Sequence, residues 1–321
     1  MARDIDSTMQ LRQKNKFTLA VRLRRNMWLY VLMLPALALI FVFHYMPIVG
    51  ILIAFNDFKP NKGFAGIFTS NWVGLQWFIR FFTSFFFARV MSNTFIINIL
   101  KLLFSFPAPI IFALLLNEVV NKPIKKIVQT VSYLPHFVSW VVVINIMVGL
   151  FSPDMGFINS LIKQGGGAAI NFMSMHEYFY PMIVGSSVWK SFGFGSIIYL
   201  AAIASIDQEM YEAAVIDGCG RLKQVWYITL PSIKQLILML LILNVGQLIN
   251  SDFQQIFLYM GSNKSLQNIG QVIDVYVYDV GLASMNMSFA TAIGVFKGVV
   301  ALIMVGGANF ISTRLGEESI V

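Results

Sequence analysis

Long apolar runs separated by short polar stretches dominate the chain, and six of them, at about 27–55, 92–117, 127–151, 180–205, 233–258 and 288–311, are each long enough to form a spanning helix. A helix crosses the hydrocarbon core of a bilayer with about 20 mostly apolar residues. The pattern therefore predicts an all-α, polytopic membrane protein with six transmembrane helices. The first run exceeds what one crossing needs; Pro35 and Pro47 are placed to kink it, and Asn56-Asp57 closes it. The polar, basic residues before it lead into the run without a small-residue cleavage site, so the expectation is an uncleaved first span.

Composition agrees: 57% of the residues are hydrophobic and only 12% are charged, against about a quarter charged in an ordinary soluble domain. A net charge of +8 could suggest a nucleic-acid partner, but its placement argues otherwise. Arg12, Lys14, Lys16, Arg22, Arg24 and Arg25 precede the first run, and Lys122, Lys125 and Lys126 share one short connection. Such clusters mark cytoplasmic segments beside membrane spans. The expected order is a cytoplasmic basic segment at 1–26, a six-helix domain at 27–311 with a cytoplasmic loop at 207–231, and a cytoplasmic tail at 312–321. Both termini then lie inside. Lipid is the implied surroundings and nucleic acid is not a partner. The lone Cys219 excludes an intrachain disulfide.

Two outer connections stand out. In "WFIRFFTSFFFARV", Phe78, Phe81, Phe82, Phe85 and Phe86 recur at helical spacing beside Arg80 and Arg89, predicting a helix lying flat at the outer membrane surface. The same aromatic face could instead dock an external partner. The second connection, 152–178, with Gly165-Gly166-Gly167, reads as irregular.

The stretch "EAAVIDGCGRLKQVWYITLP", Glu212 to Pro231, is polar where the flanking chain is apolar. Ser205 or Asp207 can cap a short helix through Met210, Ala213 and Ala214, and Gly218 can end it in the left-handed conformation. Gly220 offers a second point of freedom. Arg221–Ile228 can form another short helix, and Pro231 suits the first turn of the following span because its missing N–H is unneeded there. Small Ala213 and Ala214 allow close approach of another protein, while Glu212 and Asp217 supply charge to fix its register.

Read as Glu212, Ala213, Ala214, Asp217, Gly218, Ile228, Thr229, Leu230 and Pro231, this stretch resembles the coupling-loop motif of permease subunits in binding-protein-dependent ABC importers. Further segments, "LYVLMLPALALIFVFHYMPIVGILIAFNDF" at 29–58, "WVGLQWF" at 72–78, "NTF…LKLLFSFPAPIIFALLLNEV" at 93–119 and "VIDVYVYDVGL" at 272–282, are similar to the branch that imports oligosaccharides and polysaccharide fragments, alginate among them. The resemblance implies the type I, MetI-like architecture and a bacterial inner-membrane location. It also implies a heterodimer with a second, related permease, two cytoplasmic ATPases that bind ATP and Mg, and an extracytoplasmic solute-binding protein delivering a saccharide. Cys219 stands where such loops often carry alanine. No G-x-x-x-x-G-K-[ST] phosphate loop occurs, so this chain is expected to hold no cofactor and to leave ATP hydrolysis to partners.

Polar side chains inside spans are costly and usually face a cavity or a partner. Asn244, Gln247 and Asn250 make the fifth span a candidate for the substrate path, with Ser251 four residues beyond Gln247. The same amides could equally serve as hydrogen bonds between helices. In the fourth span, Trp189, Lys190 and Phe192 offer a ring face for a sugar and a cation for an anionic uronate; Lys101 and Lys297 also lie within predicted spans. Each lysine could instead snorkel or pair with an acid. His44, His136 and His176 have no spacing for a metal site or a triad, so neither catalytic nor metal residues are expected. The rival to an ATP-driven importer is a secondary transporter, which would be expected to bury carboxylates centrally in its spans. Asp252 and Glu118 instead fall near predicted span ends.

Overall fold

A computed structural model describes residues 26–261 and 263–314; the basic N-terminal segment and most of the 312–321 tail lie outside the described residues. Among them the chain is helical, the lone strand-like feature being a single bridge between Asn56 and Trp72. In chain order the main elements are α1 (Met27–Phe55), α2 (Gln76–Phe82), α3 (Phe86–Asn117), α4 (Lys122–Phe137), α5 (Trp140–Phe151) and α6 (Phe157–Gln164). They continue as α7 (His176–Ala204), α8 (Gln208–Ile216), α9 (Arg221–Gly246), α10 (Phe253–Met260), α11 (Ile273–Tyr278) and α12 (Met287–Arg314). Five of these, α1, α3, α7, α9 and α12, are long and apolar enough to cross a membrane, and α4 with α5 makes a sixth if the bent pair is counted as one span.

Proline shapes the long helices without ending them. In α1, Pro47 follows a π-turn at Phe41–Tyr45 that leads into a 3-10 stretch from Met46 to Phe55. A π-turn re-routes the hydrogen bond that proline cannot donate. The apolar window of α1 is unburied in this single chain, and its second half packs against α12.

The expected span at 127–151 is two helices bent by 104°. Pro135 occupies the last turn of α4, Val138 is extended, and Ser139 caps α5 by accepting from the Val142 N–H. A bend leaves the last carbonyls of α4 without helical partners. The Lys190 ammonium, reaching across from α7, donates to the carbonyls of Pro135, His136 and Val138. Below the bend α4 and α7 come close enough that a Cβ on Gly193 would lie 2.0 Å from the Ser132 carbonyl oxygen.

The expected fifth span, 233–258, also differs. α9 begins earlier, at Arg221, runs through a π-turn at Val225–Thr229 and stops at Gly246; after a non-helical stretch α10 resumes at Phe253. Pro231 therefore sits inside a continuous helix, just past the π-turn, and not at its start.

The outer aromatic stretch is not one flat helix. α2 ends at Phe82 and α3 starts at Phe86, so the five phenylalanines are split by a turn. Phe81 is 1% exposed and packs edge-on against Phe87 at 5.0 Å and Phe296 at 5.5 Å, whereas Phe85 is exposed. Within 152–178, read as irregular, α6 forms a short helix, and the fully buried Asn159 donates to the carbonyls of Phe151, Ser152 and Ile170.

Candidate functional site: a polar cavity and an exposed helical loop

A cavity of about 460 Å³ opens between α3, α7 and the break after α9. Its polar lining comes from Asn98, Lys101 and Ser105 of α3, Ser191 and Tyr199 of α7, and Asn244, Gln247, Asn250 and Asp252. The three amides singled out in the sequence thus come together. Asn244 turns its Nδ2 back to its own helix, at 2.8 Å from the Leu240 carbonyl, and Asn250 donates to Gln247 Oε1 at 2.8 Å. Asn98, Lys101 and Ser105 passed unnoticed as a group, although their i, i+3, i+7 spacing puts them on one helical face. That stripe was the available signal.

Non-helical backbone at this depth must find partners for its N–H and C=O groups within the protein or a wet cavity. Here α3 and α11 supply them, and α5 and α12 hold the carboxylates involved. Asn98 Nδ2 donates to the Leu248 carbonyl at 2.8 Å and to Ser251 Oγ at 3.2 Å. The Ser251 N–H donates to Asp274 Oδ2 of α11 at 2.8 Å, and Asp274 forms an ion pair with Lys297 of α12. Asp252 caps α10 by accepting from the Gln255 N–H at 3.3 Å, and its second oxygen accepts from Trp140 Nε1 at 2.6 Å. Trp140 opens α5, so the break in the fifth span is bonded to the bend in the third.

Trp189, Lys190 and Phe192 lie away from this cavity. Trp189 lines a separate apolar cavity of about 390 Å³ with Val143 and Met147. Lys190 is committed to the carbonyls at the bend and lies 5.5 Å from the Trp140 ring centroid. Phe192 packs edge-on against Phe112 at 5.0 Å. Among the described residues no group of three His, Cys, Asp or Glu side chains is placed to hold a metal.

At the far end of α7, the stretch 207–231 forms a helix, a turn and the start of α9. Asp207 caps α8 by accepting from the Glu209 N–H at 3.0 Å. The helix closes with two linked bonds, Gly218 N–H to the Val215 carbonyl at 3.0 Å and Cys219 N–H to the Ala214 carbonyl at 2.8 Å. This is the Schellman arrangement, which needs a left-handed residue, and Gly218 has φ +75°. Gly220, at φ −69°, uses no such freedom and simply precedes α9.

Glu212, Ala213, Asp217 and Gly218 are exposed and Ala214 is half-buried. Val215, Ile216, Leu222, Trp226 and Tyr227 are exposed too, giving an apolar surface beside the acidic groups of Glu209, Glu212 and Asp217. One contact ties α8 to α9 within this element, and another ties the element to α3. The Tyr211 hydroxyl lies 2.9 Å from Thr229 Oγ1 of α9, and Arg221 lies 3.9 Å from Glu118 at the end of α3. These are the two helices that carry Asn244 and the Asn98–Lys101–Ser105 stripe.

Comparison with known proteins is consistent with this arrangement. Residues 105–317 match the family described as "Binding-protein-dependent transport system inner membrane component". The chain is 44% identical over 298 residues to protein LplB of Bacillus subtilis (strain 168), covering 93% of this chain and 92% of that one. It is 43% identical over 316 residues to the polygalacturonan/rhamnogalacturonan transport system permease protein YteP of the same strain, covering 98% and 97%. Among solved structures, a bacterial alginate ABC transporter in complex with an alginate pentasaccharide-bound periplasmic protein contains a chain 36% identical, with a TM-score of 0.82 over 94% of this chain and 99% of that chain.

Proposed function

This chain belongs to the family of binding-protein-dependent transport system inner membrane components, and from that premise we propose that it lines half of an alternating-access path for an oligosaccharide or polysaccharide fragment. It is a multi-pass inner-membrane permease of the sugar and polysaccharide ABC importers, not an enzyme. Membership sets aside the secondary transporter. In our reading the other half of the path is a second, homologous permease. Two ATPases on the cytoplasmic side bind ATP and Mg, and an extracytoplasmic solute-binding protein hands over the sugar. Both termini and the 207–231 loop face the cytoplasm.

The observation that carries the reading is a pair of fastenings, one from α8 to α9 through Tyr211–Thr229 and one from the start of α9 to the end of α3 through Arg221–Glu118. Glu212, Ala213 and Ala214 present a small, charged surface that an ATPase cleft can grip, and the Schellman turn at Asp217-Gly218 makes it a rigid knob. Displacing that knob pulls on α9 through Tyr211–Thr229 and on α3 through Arg221–Glu118. Movement of those helices changes the shape of the cavity lined by Asn244, Gln247 and Asn250, whose amides suit hydroxyl-rich ligands. Pro231 beside the π-turn gives α9 a place to bend.

Purification of the tagged chain from its native membrane in mild detergent, with partners identified by mass spectrometry, tests the assembly. A related permease and a nucleotide-binding ATPase are expected in stoichiometric amounts. Recovery of the chain alone, or as a homo-oligomer without an ATPase, would contradict the proposal.

A further inference from the structure

Three lysines lie within the helical bundle, and their surroundings differ. Lys297 is paired with the carboxylate of Asp274, and Lys190 is spent on three backbone carbonyls at the bend. Lys101 is neither. It lines the polar cavity, and its ammonium donates to Gln255 Oε1, a neutral amide. Among the described residues it has no carboxylate within ion-pair distance. Asp252 lines the same cavity, but its oxygens accept from Trp140 Nε1 and the Gln255 N–H.

Gln255 is built to hold Lys101 there. It is fully buried; its Nε2 donates to the Ile183 carbonyl at 2.7 Å and to Ser186 Oγ at 2.9 Å, and its Oε1 also accepts from Ser187 Oγ at 3.1 Å. The Ile183 carbonyl can only accept, so the amide cannot flip, and Oε1 is fixed toward Lys101. An ammonium has three donors, of which this contact uses one. Placing a cation within a membrane bundle is costly even with the Asp252 carboxylate in the same cavity, and a neutral donor would satisfy Gln255 more cheaply.

Resting on the saccharide-import reading, we infer that Lys101 is the specificity-determining residue of the cavity, meeting the carboxylate of an anionic saccharide as it passes. The ammonium supplies a charge-assisted hydrogen bond that a neutral sugar does not need.

The test uses the complete importer, with its partner permease, ATPases and binding protein, in proteoliposomes, and follows uptake of trigalacturonate and of the neutral sugar arabinotriose per assembled complex. Lys101→Gln keeps a donor for Gln255 and removes the charge; Lys101→Arg keeps the charge. Trigalacturonate uptake is expected to fall about tenfold or more in Lys101→Gln, as befits loss of one charge-assisted hydrogen bond, and to stay within about threefold of the wild type in Lys101→Arg. Undiminished uptake by Lys101→Gln, or equal loss in both variants, would overturn the inference. Wild-type import of arabinotriose but not of trigalacturonate would overturn it while leaving the import reading intact; import of neither sugar, with a binding protein shown to hold both, would overturn the import reading as well.

Discussion

Residues 207–231 and residues 247–252 both leave the path of a straight helix, one in the open and the other inside the bundle. The first is held by its own neighbours in sequence: the Asp207 cap, the Schellman bonds across Ala214–Cys219 and the Gln224 Nε2 bond to the Cys219 carbonyl at 3.1 Å. The second is held from a distance, by Asn98, Trp140 and Asp274, which lie between 23 and 153 residues away in the chain from the groups they bind. A knob that a partner must grip needs a shape independent of what the bundle is doing. A wall that must change between outward-facing and inward-facing forms is better built from contacts between elements that move relative to one another.

That comparison can be broken most severely at Asp274. Asp274→Asn strands Lys297, which has only 14% of its side chain exposed, and the expected loss of stability is about 3–5 kcal/mol, as for other broken buried pairs. The double change Asp274→Asn with Lys297→Met should recover a large part of this, since no charge is left unpaired and the Ser251 N–H keeps an acceptor. Thermal unfolding of the purified complex reads both; a single variant no worse than the double would show that the pair does not hold the break.

Asn98→Ala comes next. It removes the donor to the Leu248 carbonyl and Ser251 Oγ and should cost about 1–3 kcal/mol in the same assay, with reduced uptake as the wall loosens. Wild-type stability would mean the break is held by its other contacts alone.

Asn244→Ala sharpens the comparison from the other side. Its side chain bonds only to its own helix, so stability should change by less than about 0.5 kcal/mol while saccharide uptake falls. Unchanged uptake would remove Asn244 from the path.

The same contrast explains what could be read in advance. The 207–231 element was legible because capping residues, small residues and a glycine at a left-handed turn act over a few positions. It differs from that reading where Gly220 uses no conformational freedom and where Arg221–Ile228 runs on into α9, a π-turn carrying the helix past Pro231. Five spans were legible from apolar length alone. The breaks at 138–139 and 247–252 were not, because runs such as "WVVVINIMVGLF" and "LPSIKQLILMLLILNVG" carry no mark of where a distant side chain will satisfy a freed backbone group. Lys190 shows the same limit: its charge is plain in the sequence, and the three carbonyls to which it donates are not.

The most direct measurement is uptake and ATP hydrolysis in the same reconstituted vesicles for Gly218→Val. A β-branched residue at φ +75° strains the turn by about 1–2 kcal/mol and distorts the knob, while the cavity, built elsewhere, should persist. Continued hydrolysis with saccharide uptake abolished is the predicted result. Uptake at the wild-type rate would contradict the claim that the 207–231 element drives the cavity.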